Sequence, residues 1–168
     1  MRGVSRVGLL ALALTVPTAC TRYVVETPAA AVGAQLSVER FLQAANQRDV
    51  EAMGRLFGTH DGSAMETGGT FGCMFKKIGS WFGGSPCVKR QEVEIRMDAI
   101  ASILQHRDYR IVDERRVAGR TAPTTQVTVN MTTVQGVNVQ SVPFEVVRTG
   151  EGRWLVQRVD LERVMAAR

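Results

Sequence analysis

At 168 residues the chain has room for one ordinary domain and little else. With 45% hydrophobic and 22% charged residues it can bury a core, which excludes an intrinsically disordered protein. The formal charge of +5 falls to about +3 once Arg2 and Arg6 are set aside with a segment expected to be removed. The remaining charges interleave, as in Asp113-Glu114-Arg115-Arg116. No basic stripe with interleaved aromatics is present to track a phosphate backbone, so nucleic acid is not an expected partner.

The N-terminus carries the most specific signal. Arg2 and Arg6 form a positive region ahead of the apolar run Val7 to Val16. That run is too short to cross a hydrocarbon core of about 30 Å as a helix, but it suits a signal peptide. Pro17-Thr18-Ala19-Cys20 follows. A small residue immediately before a Cys at the end of such a run resembles the lipobox of bacterial lipoproteins, with Pro17 standing where that motif has a Leu-like residue. The resemblance implies that Cys20 is acylated through its thiol and becomes the new N-terminus. A thioether-linked diacylglycerol plus an N-terminal acyl chain such as palmitate would supply the chains that stable anchoring needs. The alternative is an ordinary signal peptide cleaved near Ala19. Residues 1–19 are therefore expected to be a signal peptide and 20–35 a lipidated Cys with a flexible tether. The small residues, Pro28 and Gly33 of that stretch offer little to pack. The expected address is the extracytoplasmic face of a bacterial membrane.

The folded domain is expected over 36–168. Ser37 reads as the N-cap of a first helix, with Val38, Phe41, Leu42 and Ala45 on one face. Asp49 caps a second, Val50 to Phe57, turning Met53, Leu56 and Phe57 inward, and Gly58 stops it. An insert at 66–90 comes next, rich in Gly. It holds Cys73 and Cys87, the two thiols left in an exported chain once Cys20 is lipidated, so a disulfide is the natural reading. Closing that loop of about 15 residues would stabilise by roughly 3 kcal/mol in the chain-entropy model. Phe71, Phe75, Ile78, Trp81 and Phe82 also lie here, beside Lys76 and Lys77. One reading is a short helix whose aromatic face completes the core. The other is a lid or docking surface for a small apolar ligand, an envelope protein or the lipid surface. A third helix runs from about Gln91 to His106, with Val93, Met97, Ile100, Ile103 and Leu104 as its stripe, and His106 as a cap or surface residue.

From Tyr109 onward apolar residues recur at every second position, with Gly or Pro between the runs, and the period predicts four antiparallel strands. They are expected over 109–117, 125–132, 137–147 and 153–161. The fold class is thus α+β, three helices packed on one face of a four-strand meander. Two stretches add a resemblance. Phe41-Leu42-Gln43-Ala44-Ala45-Asn46-Gln47-Arg48-Asp49-Val50-Glu51-Ala52-Met53 and the ending Gly150-Glu151-Gly152-Arg153-Trp154-Leu155-Val156-Gln157-Arg158-Val159 resemble the nuclear transport factor 2-like superfamily. The resemblance implies a curved sheet wrapped on helices as a cone, with a pocket at the open end and dimerisation through the sheet face in many relatives. Val137 and Val139 would be the place to look for such a face. It does not settle function, because the superfamily includes isomerases, cyclases and dehydratases as well as binding modules.

An acid–base enzyme on this fold would use a buried Asp, Glu or His, often with a Tyr. His60, Asp61 and Tyr109 are the candidates, with Asp98 and Glu145 placed on solvent-facing positions. No G-x-S-x-G, phosphate-binding loop or H-E-x-x-H is present. His60, Asp61, Cys73 and Cys87 lack the paired spacing that pre-organises a metal, so no metal and no cofactor are expected. The expectation from sequence is a non-enzymatic ligand-binding or assembly module, with a small isomerase or cyclase as the alternative.

Overall fold

The computed structural model describes residues 33–67 and 90–167. Cys20, Cys73, Cys87, Phe71, Phe75, Ile78, Trp81 and Phe82 lie outside the described residues. The described chain is α+β: a four-stranded antiparallel sheet with helices against it.

Helix α1 spans Ala34–Gln47 and buries Val38, Phe41, Leu42 and Ala45, the stripe that its spacing predicts. It begins within the stretch expected as tether, and Ala34 is already buried. Ser37 is not the N-cap. It sits in the second turn, and its hydroxyl donates to the Trp154 carbonyl at 3.0 Å, tying the helix to the last strand. Gly33 takes the cap position with no side-chain bond. Arg48 in the left-handed region (φ 53°) ends the helix. Asp49 then caps α2 (Val50–Leu56) as expected, its carboxylate accepting the Ala52 N–H at 2.9 Å.

Beyond α2 the chain makes a small hairpin, β1 (Gly58–Thr59) and β2 (Gly62–Ser63), with His60 and Asp61 at its tip. Gly58 is required here. A Cβ on it would stand 2.3 Å from the Gly62 carbonyl oxygen, and Gly62 itself has φ 142°. Short helix α3 (Ala64–Thr67) follows, opened by reciprocal bonds between Ser63 and Glu66.

Helix α4 (Arg90–Leu104) buries Val93, Met97, Ala101 and Leu104 and stops two residues earlier than the apolar pattern suggests. His106 is neither cap nor surface residue. It is 6% exposed and opens β3 (His106–Arg116). The meander continues through β4 (Thr124–Thr133), β5 (Asn138–Arg148) and β6 (Trp154–Val159), in the order β3-β4-β5-β6. The predicted strands match to within a few residues, except that the last ends at Val159. Asp160 there caps a further helix, α5 (Leu161–Ala166), which anchors through the buried Val164.

One face of the sheet presents Val127, Val129, Met131, Val142, Phe144 and Val146 to α1, α2 and α4, each at most 3% exposed. Val139 belongs to the same core at 2% exposure and Val137 is half-buried in the loop before β5, so neither forms an exposed apolar patch for sheet-face pairing. The opposite face is polar. Arg115, Gln126, Glu145 and Arg158 fall in register across all four strands. Asp98 is exposed and Glu145 points away from the core, as their positions in the pattern indicate.

Candidate functional site

The three candidate catalytic residues are not brought together. Tyr109 pairs with Met131, which pairs with Val139 at the start of β5. His60 donates from Nδ1 to the carbonyl of Arg148, at the other end of the same strand, 3.0 Å away. From Val139 to Arg148 an extended strand covers about 30 Å. His60 and Asp61 share a hairpin tip but are both exposed, and the Asp61 N–H donates to the Thr59 hydroxyl at 3.3 Å, which is turn chemistry.

Tyr109 has a more structured setting. Its ring stands edge-on to His106 with centroids 5.3 Å apart. Its hydroxyl pKa is raised, by burial first and then by the Glu39 and Asp108 carboxylates. That shift holds the phenol protonated, the reverse of what a general base requires. His106 is committed to structure. Nδ1 lies 2.8 Å from the Leu104 carbonyl, so it carries the proton, and Nε2 accepts from the Asn46 amide at 3.2 Å. Asn46 also binds both backbone groups of His106, each at 3.0 Å, and so clamps the end of α1 to the start of β3. Sequence reading had no means of finding this clamp, since Asn46 and His106 are sixty positions apart.

The concavities on the surface of the described residues include one at each face of the sheet. The first, of about 480 Å³, is a shelf at the end of the inner sheet face that the helices leave uncovered. Register places Arg116 beside Thr125 and Arg148 beside Trp154, with Glu114 and Pro123 completing the wall. Neither Arg116 nor Arg148 forms an ion pair among the described residues. Two guanidiniums flanking an indole suit an anionic group carried on an apolar body.

Next to Trp154, Arg153 grips Glu66 with two parallel bonds of 2.9 and 2.7 Å and also reaches Glu151 at 3.0 Å. The Arg153 bond is the main reason the Glu66 carboxyl sits below its usual range, with Ser63 contributing; burial opposes both. The pair links α3 to the strand carrying the shelf, and its eighty-seven-residue separation hides it from sequence patterns.

The second concavity, of about 570 Å³, lies on the polar outer face between β5 and the start of α5. Glu145 there is held by Arg120 at 3.1 Å, and Asp160 caps α5 while pairing with Arg163. Glu145 and Asp160 are thus occupied by structural partners, and Glu162 completes the acidic part of the lining. Among the described residues no three His, Cys, Asp or Glu side chains come close enough to hold a metal ion, and no helix is long and apolar enough to cross a membrane.

No known protein family, no curated protein and no solved structure matches this chain.

Proposed function

We propose that this chain is a lipid-anchored protein of the bacterial cell envelope, whose domain is of the nuclear transport factor 2-like kind and acts as a non-enzymatic assembly module. The observation that carries the reading is the sealed inner face of the sheet. Where the resembling fold keeps a pocket, Val127, Val129, Phe144 and Val146 are covered completely by Phe41, Leu42, Met53 and their neighbours. Recognition then falls to the surface. The shelf around Trp154 presents the guanidiniums of Arg116 and Arg148, neither in an ion pair among the described residues, and the stretch holding Phe71, Phe75, Ile78, Trp81 and Phe82 follows α3 in sequence, which Glu66 ties to Arg153. In this reading Cys73 and Cys87 close that stretch with a disulfide, and Cys20 holds the domain to the membrane.

Native mass spectrometry of the domain from Thr21 onward, exported to an oxidising compartment, tests the binding part. A clean oxidised chain with no bound mass fits an assembly module, whereas a stoichiometric co-purified small molecule refutes it. Joint replacement Trp81→Ala and Phe82→Ala tests the docking surface. Retained stability with loss of an envelope partner fits; an unfolded domain would make the stretch core instead.

A further inference from the structure

We infer that β3 pairs edge to edge with β3 of a second copy of this chain, joining two sheets across a two-fold axis between Ile111 and Val112. This goes beyond the assembly reading and does not depend on what the Trp154 shelf or the Trp81 stretch binds. The sheet has two edges. At β6, Phe57 bridges Val156 in parallel, so that edge is partly closed from within the chain. At β3, eleven residues long, the described strands offer a partner on one side alone. A long open edge is a template for pairing unless something blunts it.

The residues on this edge are complementary to their own reverse. Asp108, Arg110, Asp113 and Arg115 pair in register with Thr132, Asn130, Thr128 and Gln126 of β4. Those β4 residues alternate with the buried Met131, Val129 and Val127, so all four charges stand on the outer face. The bulge at Val112 makes this possible by returning Asp113 to the face of Arg110. The outer face therefore reads minus, plus, minus, plus. On an antiparallel copy, Asp108 meets the partner's Arg115 and Arg110 meets the partner's Asp113, each twice by symmetry. Because both strands carry the extra residue at the same place, the two bulges match across the axis.

The register is also specific. A slip of two residues one way sets Arg110 against the partner's Arg115, and the other way sets Asp108 against the partner's Asp113. β3 carries no lysine or proline; its inner-face charges Glu114 and Arg116 and its bulges are the guards present, and in this pairing Glu114 finds the partner's Tyr109. Val112 gives independent support. It is 46% exposed and the one large exposed hydrophobic on a strand among the described residues, and the axis brings it against the partner's Ile111. On the inner face Tyr109, held protonated, comes opposite the partner's Glu114 as a donor to a carboxylate. At the frayed ends Arg107 falls opposite the partner's Arg116, which keeps the association modest.

Sedimentation velocity on the purified full chain over a wide concentration range, at low and high salt, tests the pairing. The expected result is a salt-sensitive monomer–dimer equilibrium. Arg110→Asp should weaken it by about tenfold or more, because two attractive cross-strand pairs become repulsive. Adding Asp113→Arg to that variant should restore it. Circular dichroism melts identify any variant that fails to fold, and the charge-restored double variant then decides. A monomer at every concentration overturns the inference and makes the charges protective. So does a dimer indifferent to Arg110→Asp, which would use another surface, or a folded double variant that remains monomeric.

Discussion

The Asn46 clamp offers the sharpest test of the fold, because one exposed-looking side chain carries three bonds. Asn46 donates to His106 Nε2 at 3.2 Å and to the His106 carbonyl at 3.0 Å, and accepts the His106 N–H at 3.0 Å. Asn46→Ala removes all three. A net hydrogen bond contributes about 0.5–1.5 kcal/mol, so the gross loss is roughly 2–4 kcal/mol. Water reaches the Asn46 side and recovers part of that, leaving an expected cost of about 2 kcal/mol. Asn46→Asp keeps the acceptor for the His106 N–H but sets a carboxylate oxygen against the His106 carbonyl and the lone pair of Nε2. At pH 8 it should be no better than alanine. Urea unfolding followed by fluorescence reads both variants, with an unchanged m-value marking a pure stability effect. A cost below about 0.5 kcal/mol for alanine would refute the reasoning, since ordered water alone would then suffice to join α1 to β3.

Phe41→Ala empties a fully buried ring site facing the sheet and should cost about 3–5 kcal/mol in the same unfolding assay, while a loss under about 1 kcal/mol would mean the core is not sealed there. Glu66→Gln tests the Arg153 grip by pH. The folded-state carboxyl is depressed from 4.5, so its contribution is present above that value and disappears as pH falls through the lower folded pKa. Glu66 is 54% exposed, which limits the effect to under about 1 kcal/mol at pH 7, and the wild type and variant should converge in acid. Gly58→Ala forces the Gly62 carbonyl away and should destabilise by about 1–3 kcal/mol, with hydrogen exchange rising at the β1–β2 hairpin first. Cys20→Ser should release the protein from the membrane fraction into soluble extract, and retention in the membrane would refute lipid anchoring through that thiol.

Much of the architecture is legible because it rests on periodicity. The stripes Val38-Phe41-Leu42-Ala45 and Val93-Met97, and the alternation of β4 and β5, are local patterns with one physical cause, burial of one face. The cap at Asp49 was equally visible, since its bond spans three residues. Errors arise where a tertiary bond outranks a local preference. Ser37 has the composition of an N-cap, yet its hydroxyl serves Trp154, 117 residues away. Leu161 continues the alternation of β6, which predicts a strand running on to it, but Asp160 accepting the Arg163 N–H and Val164 three positions after Leu161 turn the chain into α5. The candidate site was the least legible part. Tyr109 and His60 look equally plausible as residue types, and the register alone separates them to opposite ends of the sheet.

The same geometry explains why surface and edge, rather than interior, should carry the function. A cone with a working pocket must leave part of its inner sheet face bare, and the cost of doing so is lost burial at about 25 cal/mol per Å². Here the helices claim nearly all of that face and spare only the end at Trp154, where Glu114, Arg116 and Arg148 replace the valines. The stretch that leaves α3 starts from Glu66, fixed by two bonds to Arg153, and the chain returns at Arg90, which pairs with Glu51 of α2 and Glu94 of α4. Both ends are tied to the core scaffold by ion pairs of their own. A partner that reads the shelf must approach along the Arg148 end of the sheet, while a second copy paired at β3 meets Asp108 to Arg115. Glu114 and Arg116 are shared by the shelf and the end of that strand. Arg116→Ala should weaken partner docking while leaving the dimer intact or slightly stronger in sedimentation velocity, because it removes the like-charge contact with the partner's Arg107.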